Sequence, residues 1–202
     1  MIGISSEKDF QRGVISLPGG EIPWFDRLVT TSTMDDAANM VRDGIADWTV
    51  VTALTQRSGR GTRGREWNSP PGKGLWMSVI LPPPKDIGCM RELPLKAAET
   101  LADILGGLTG FHFDVKPPND VTSRGKKLGG IMVESVTSGE NVISLVLGLG
   151  LDISVEKRDF IGAGLTEATS ILVETGCIPG RMEIIEAFLK KFMTVYEGLA
   201  MK

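Results

Sequence analysis

Two long, glycine-containing strand patterns in the second half of the chain constrain its fold more than any other feature. Residues 127–136 (KLGGIMVESV) and 141–154 (NVISLVLGLGLDIS) are rich in β-branched and aliphatic side chains. The polar segment between them, residues 137–140, contains a glycine and is typical of a β-hairpin. The two segments are therefore predicted to pair as antiparallel strands.

The remaining patterns come in neighbouring runs of strands and helices rather than in strict β-α-β alternation. Strands are predicted at 48–55, 74–81 and 111–116, and helices from Thr33, over 91–108 and over about 182–199. The first twenty residues are polar and are predicted to form an arm or an edge strand. No linker divides the 202 residues, so one α+β domain (1–202) is expected, with helices packed on a mixed, largely antiparallel sheet.

Composition limits the class of protein. The formal net charge is -3, which disfavours a nucleic-acid-binding role, and two scattered cysteines, Cys89 and Cys177, are too few for a disulfide scaffold. The longest apolar run, residues 142–151, is too short to span a bilayer, and no secretory signal is visible at the N-terminus. We therefore expect a soluble, cytoplasmic protein.

The segment 56–74 (QRSGRGTRGREWNSPPGKG) is the most unusual part of the sequence. It places four arginines within nine residues, interleaved with glycines, in an otherwise acidic chain. A dinucleotide-binding loop is excluded because the residues after Trp67 cannot continue a helix. A mobile lid that folds over a phosphate or carboxylate is favoured over a solvated arginine loop and over an RNA-binding segment.

Two further segments place glycines and charges at strand ends. In KPPND (116–120) a carboxamide and a carboxylate follow a strand, and Lys127 precedes the bare backbone of Gly129 and Gly130. Glycines recur at 148 and 150 in the next strand. Taken alone, the Gly129-Gly130 segment slightly favours a charged hairpin loop with a β-bulge, and the 148–150 segment is also compatible with a bulge. Two bare strands beside a basic lid, however, suggest a pocket for a flat ligand.

Together these segments resemble the catalytic domain of biotin–protein ligases, in the biotin/lipoate ligase superfamily. The resemblance runs from about Phe25 to Ile153 and is carried by GRGTRGREWNSPPGKGL, KPPNDV, KKLGGIMVE and LGLGLDIS, with an upstream Ser32-Thr33 pair. It implies a class II synthetase-like α+β fold. It also implies that ATP, with Mg²⁺, activates biotin to biotinyl-5'-AMP, and that biotin then passes to a lysine of a biotin carboxyl carrier protein.

The resemblance also assigns site residues. Lys127 and Arg60 match catalytic positions, and both also match biotin-binding positions. The other biotin-binding positions are Ser32, Thr33, Gln56, Gly59, Gly130, Met132 and Gly148. The ATP-binding positions are Arg63, Arg65, Trp67, Lys116, Asn119 and Asp152. No metal ligand is assigned.

Three positions depart from the family pattern. Pro117 replaces a tryptophan, Thr62 replaces a lid residue that is often basic, and Asp152 replaces an asparagine, where its charge either weakens ATP binding or recruits the metal. From the resemblance we expect neither the helix-turn-helix nor the C-terminal SH3-like domain of some relatives, and therefore no DNA-binding role. The resemblance leaves a monomer and a homodimer open, and it leaves a lipoate ligase and a non-catalytic biotin- or adenylate-binding protein as alternatives.

Overall fold

The computed structural model describes residues 10–200. The strands are β1 Phe10–Leu17, β2 Gly20–Thr30, β3 Val50–Gln56, β4 Gly74–Leu81, β5 Asp114–Lys116, β6 Asp120–Ser123, β7 Lys126–Ser138 and β8 Asn141–Asp152. The helices are α1 Thr33–Arg42, α2 Leu93–Thr109, α3 Lys157–Gly162, α4 Ile171–Thr175 and α5 Arg181–Ala200. Short 3-10 turns lie at Thr62–Gly64 and Ile87–Arg91.

The strands form one eight-stranded sheet in the order β1-β2-β3-β4-β8-β7-β6-β5. Only β2 and β3 pair in parallel, because α1 carries the chain from the end of one to the start of the other. All other neighbours are antiparallel, including the long β7–β8 hairpin. The predicted α+β class with a mixed, largely antiparallel sheet is confirmed.

Helices cover the two faces of the sheet unequally. On one face, α2 and α5 bury a continuous apolar core that includes Leu101, Phe188 and Phe192, and the last two rings stack with centroids 5.0 Å apart. On the other face, α1 buries a smaller cluster around Met34 and Ala37. The face carrying α1 therefore leaves part of the sheet accessible next to the helix N-terminus.

The structure differs from the sequence-based elements in several places. Strand β2, from Gly20 to Thr30, was not predicted, because its apolar and polar residues do not alternate cleanly. The predicted strand 111–116 shortens to Asp114–Lys116, and β6 was read as part of a turn. The β7–β8 turn is tighter than expected, since the strands extend to Ser138 and from Asn141 and leave two residues between them.

The N-terminal prediction is confirmed in part. Residues 10–17 form an edge strand on β2, and residues 1–9 lie outside the described part of the chain. Among residues 10–200, no helix has the length and apolar character needed to cross a membrane.

Candidate active site

A cavity, here called the first cavity, opens on the sheet face beside the N-terminus of α1. Its walls come from the start of α1, the end of β3, the lid loop (residues 57–73), β7 and β8. Eight of the nine positions predicted to bind biotin line it: Ser32, Thr33, Gln56, Arg60, Lys127, Gly130, Met132 and Gly148. The ninth, Gly59, is buried behind this wall, where an added Cβ would lie 2.6 Å from the Trp67 carbonyl oxygen.

A hydrogen-bond network fixes the polar end of the first cavity. The Gln56 Oε1 accepts from the Thr33 backbone N–H at 2.9 Å and from its hydroxyl at 3.2 Å. The Gln56 Nε2 donates to Ser69 at 3.0 Å, and Ser78 donates to the Thr33 hydroxyl at 2.8 Å. These side chains are therefore held in place by the protein itself.

Ser32 is the exception in this network. It occupies the N-cap position of α1, but its hydroxyl makes no capping hydrogen bond. The Ser32 Oγ is buried, lines the first cavity and has no protein partner. A buried hydroxyl without a partner is costly, so this atom is suited to receive a polar group from a ligand.

Glycines allow the Trp67 indole to lie flat against the strands. A Cβ on Gly150 would come within 2.5 Å of the Trp67 ring, and one on Gly130 within 2.8 Å. Part of the bare surface predicted to receive a flat ligand is thus covered by a flat side chain of the lid. Gly129 differs from this prediction, because its Cβ would meet Val121 and Leu151.

A β-bulge aims Lys127 into the site. Along β6 and β7, Val121 pairs with Gly129 while Thr122 pairs with Lys127, which leaves Leu128 as an extra residue. Leu128 enters the core, and Lys127 lines the same cavity as Gly130 although strict alternation would separate them. The Lys127 backbone is further held by the segment before α4, since its N–H donates to Glu167 and its carbonyl accepts from Thr169.

The Lys127 ammonium lies among two carboxylates and one aromatic ring. Its Nζ is 2.6 Å from Asp120 Oδ1, in an ion pair whose direction is poor for a hydrogen bond, and 5.0 Å from the centre of the Trp67 ring. Asp152 is buried nearby, and this burial raises the pKa of its carboxyl well above the usual value despite the opposing charge of Lys127. Asp120 was not among the predicted site residues, although its place in the KPPND segment marked it as displayed at a strand end.

A second cavity adjoins the first on the other side of Trp67 and Lys127. Both cavities are lined by Gly61, Thr62, Trp67 and Lys127. The second cavity adds Asp152 and Arg65 from the predicted ATP-binding set. It also adds Phe160 and residues 164–168, which sequence reasoning missed because this segment carries no charge or glycine pattern that stands out.

The other predicted ATP-binding residues lie elsewhere. Asn119 lines the first cavity, and its Nδ2 donates to the Ile131 carbonyl at 2.7 Å, so it anchors β7. Lys116 is exposed on the edge strand β5, and Arg63 is exposed in the lid with a left-handed backbone (φ 61°); neither lines the two cavities. The structure therefore brings together Arg65, Trp67 and Asp152 and leaves Arg63 and Lys116 outside.

Arg60 ties the lid to the two sides of the first cavity. Its guanidinium lies 2.6 Å from Asp35 at the start of α1 and 3.0 Å from Glu134 on β7. Within the lid, the backbones of Arg60 and Glu66 form an isolated antiparallel β-bridge, and the Gly61 N–H donates to the Arg65 carbonyl at 2.7 Å. Of the lid cations, Arg60 lines the first cavity and Arg65 lines the second.

The sequence profile of the biotin/lipoate A/B protein ligase family matches residues 25–152. The chain belongs to this family. It is 32% identical to the bifunctional ligase/repressor BirA of Bacillus spizizenii in an alignment of 168 residues. This alignment covers 83% of this chain and 52% of that protein. It is also 32% identical to the biotin–[acetyl-CoA-carboxylase] ligase of Paracoccus denitrificans in an alignment of 152 residues. This alignment covers 74% of this chain and 63% of that protein.

Solved structures agree with this membership. The biotin protein ligase of Aquifex aeolicus, solved with biotin and ATP, superposes with a TM-score of 0.74 at 25% identity, covering 90% of this chain and 72% of that one. The chain spans about half the length (52%) of the Bacillus relative. The predicted resemblance to the biotin/lipoate ligase catalytic domain is confirmed.

Proposed function

We propose that this chain activates biotin with ATP to biotinyl-5'-AMP and transfers the biotin to a lysine of a biotin carboxyl carrier protein. The observation that carries the proposal is the position of Lys127 Nζ, at the junction of two cavities that share its side chain. One cavity is suited to biotin and the other to the nucleotide. Their reacting groups would meet at this ammonium.

The names of similar proteins support this proposal. The Paracoccus relative is a biotin–[acetyl-CoA-carboxylase] ligase, and the Aquifex ligase was solved with biotin and ATP. Eight of the nine residues assigned to biotin from the resemblance line one cavity of this chain. The eight residues come from five separate segments of the chain, so only the fold brings them into one cavity.

The first step joins two anions. The biotin carboxylate attacks the α-phosphate of ATP, a phosphorus–oxygen bond to pyrophosphate breaks, and a mixed anhydride forms. A cation at the meeting point lowers the repulsion and stabilises the negative charge that develops at phosphorus. Lys127 is suited to this role, and its ion pair with Asp120 at 2.6 Å orients the ammonium before substrates arrive.

The mixed anhydride is readily hydrolysed, so water has to be excluded until the acceptor arrives. Gly61, Thr62 and Trp67 of the lid border both cavities and would cover the anhydride from one side. In the second step the carrier lysine attacks the biotinyl carbonyl and AMP leaves. No covalent protein intermediate is needed.

The polar end of the first cavity favours biotin over lipoate. The ureido ring of biotin carries N–H and C=O groups, which the buried Ser32 hydroxyl and the Thr33–Gln56 pair can engage. The dithiolane ring of lipoate offers no such group and would leave the Ser32 hydroxyl without a partner. A site that provides polar partners discriminates strongly against a ligand that lacks them.

Mg²⁺ would accompany ATP and neutralise phosphate charge. The second cavity is lined by two exposed carboxylates, Glu66 and Glu167. Among the described residues no cluster of three metal-ligating side chains occurs. Mg²⁺ is commonly held by one or two carboxylates together with substrate phosphates and water, so Glu66 and Glu167 fit the ion.

The setting of the reaction is also part of the proposal. A cytoplasmic location suits a chain that uses ATP and an intracellular carrier. A homodimer is the oligomeric state that we propose for the chain. Light scattering of the purified protein, with and without biotin and ATP, measures the oligomeric state directly.

The test of the proposed function uses the wild-type protein, ATP, Mg²⁺, a biotin carrier domain, and either biotin or lipoate. Pyrophosphate release and the intact mass of the carrier are measured, with ATP omitted as the control. We expect pyrophosphate and a biotin adduct, and no lipoate adduct. A lipoate adduct alone would reassign the substrate, and tight biotin binding without pyrophosphate would identify a non-catalytic binding protein.

A further inference from the structure

A basic groove with an apolar floor lies beside the second cavity. Its cationic rim is formed by Arg124, Lys126 and Lys157, and its apolar floor is formed by Phe160, Leu165 and Val173. Leu165 and Val173 are 38% and 40% exposed, which is high for side chains of this size. The groove has no role in the chemistry described above.

The cations of the basic groove are available to a partner. Neither Lys126 nor Lys157 has an ion-pair partner among residues 10–200, and Arg124 is 79% exposed, with a distant contact of 3.9 Å to Glu174. Glu174 itself is nearly buried and accepts hydrogen bonds from Ser123 and Thr169. The groove therefore carries a net positive charge, with three cations against the one carboxylate of Glu174, in a chain whose net charge is -3.

Local structure fixes the geometry of this rim. Arg124 and Gly125 have left-handed backbones (φ 49° and 78°) and form the tight turn between β6 and β7. That turn sets Arg124 and Lys126 on either side of the hairpin end. Lys157 begins α3 and lies across the groove from them.

The basic groove is continuous with the reaction site. Phe160, Leu165, Thr166 and Ala168 line both the groove and the second cavity, which contains Lys127 and Asp152. A folded acceptor domain is too large to enter the cavity, so its lysine must reach in from a docking face at the cavity mouth. The groove is at such a mouth.

We propose that the basic groove is the docking surface for the acceptor carrier domain, which presents an acidic face with a small apolar contact to Leu165 and Val173. This inference rests on the proposed function and names the surface used in its second step. A protein is favoured over a nucleic acid because the only aromatic ring of the groove, Phe160, is 5% exposed and offers no stacking face. Complementary charges at such a rim chiefly accelerate association.

The test compares two double variants that change the net charge equally. Lys126→Glu with Lys157→Glu alters the groove, and Lys85→Glu with Lys190→Glu alters exposed lysines elsewhere. Transfer from preformed biotinyl-5'-AMP is measured with the carrier domain and with a small amine that needs no docking. Pyrophosphate release without an acceptor is measured separately, and thermal melting checks folding.

For the groove variant we expect kcat/KM for the carrier to fall about ten-fold, mainly through KM. Transfer to the small amine and pyrophosphate release should stay within about two-fold, and the control variant should match the wild type in every assay. Wild-type kcat/KM for the carrier should also fall as salt is raised, which tests the idea even if the groove variant fails to fold. An equal loss in both variants, or none in either, would overturn the docking surface. Absence of pyrophosphate release from the wild type would instead refute the proposed function.

Discussion

The two cavities that meet at Lys127 are built in different ways. The first is walled mainly by sheet strands and the start of α1, and its polar groups are tied by the Thr33–Gln56–Ser69 hydrogen bonds before any ligand is present. The second is walled mainly by the lid and by residues 164–168, and it contains the buried Asp152 carboxyl. The first is a pre-organised site on sheet strands and a helix, whereas the second is walled mainly by loop segments.

This difference predicts how each cavity responds to substitution. Changes in the first cavity should alter biotin affinity with little effect elsewhere, since its groups are individually positioned. Changes in the second should affect nucleotide use and stability together, because its walls also hold β7 through Glu167 and Thr169. Lys127 lines both cavities, so its substitution should lower the reaction rate much more than the affinity for biotin.

The largest effect is expected for Lys127→Ala. Loss of the ammonium removes a charge needed only where the two anions react, so the rate of pyrophosphate release should fall about 100-fold or more. The dissociation constant for biotin should change only a few-fold. Stopped-flow phosphate detection, coupled to added pyrophosphatase, and calorimetry measure the two quantities, with Lys190→Ala as the matched lysine control. Near wild-type turnover would show that the Lys127 ammonium does not act on the reacting groups.

Asp152→Asn tests whether the buried Asp152 carboxylate in the second cavity lowers the free energy of unfolding. Because burial raises the pKa of Asp152, the folded state disfavours its ionised form, and the resulting penalty grows as pH rises above about 4, the usual pKa of the unfolded group. The variant should therefore be more stable at neutral pH, by roughly 1–2 kcal/mol, and indistinguishable from the wild type in acid. Urea unfolding at several pH values measures this difference. A gain that is independent of pH would rule out this cause.

Gly150→Ala probes the boundary between the cavities. The added methyl would lie 2.5 Å from the Trp67 ring, so the indole has to move. Because Gly150 lines the first cavity and Trp67 lines both, we expect the affinities for biotin and for the nucleotide both to fall, biotin by about ten-fold and the nucleotide less. Gly107→Ala is the control: this glycine lies inside α2 with open space around it, and the change should stabilise the fold by about 1 kcal/mol. Wild-type affinity for both ligands would argue against a boundary at Trp67.

Ser32→Ala gives the smallest and most specific effect. Removing the unpartnered hydroxyl should weaken biotin binding about five-fold, since one ligand hydrogen bond is lost. Thermal stability should stay the same or rise, because no protein partner is left unpaired. Titration calorimetry and thermal melting provide the two readings. A stability loss without a change in biotin affinity would assign the hydroxyl to the fold.

The sequence predicted the first cavity better than the second for a physical reason. Gly130, Gly148 and Gln56 lie in strands that short, distinctive motifs identify in the sequence. Hairpin pairing then predicts which face of the sheet the glycine positions occupy. The wall of the second cavity at 164–168 is brought to Lys127 only by long-range pairing with β7, which no local pattern encodes. The assignment of Lys116 and Arg63 by motif alone likewise could not foresee that both would be exposed outside the cavities.

The bulge at Leu128 shows a similar limit. From alternation alone, Lys127 and Gly130 would point to opposite faces of the sheet, and the family motif gave no geometric reason for their proximity. The register shift against Val121 and Thr122 resolves this. Strand β2 was missed because its register depends on the α1 crossover and on pairing with β3, not on its own pattern. Sheet order and the helix-covered faces therefore became clear only in three dimensions.

The most direct test is a structure of the wild-type protein with biotin and a non-hydrolysable ATP analogue. The ureido ring of biotin is expected beside Ser32 in the first cavity and the adenosine in the second, with the α-phosphate within hydrogen-bonding distance of Lys127 Nζ. A nucleotide bound with its phosphates away from Lys127, or biotin bound outside the first cavity, would contradict the assignment of the two cavities.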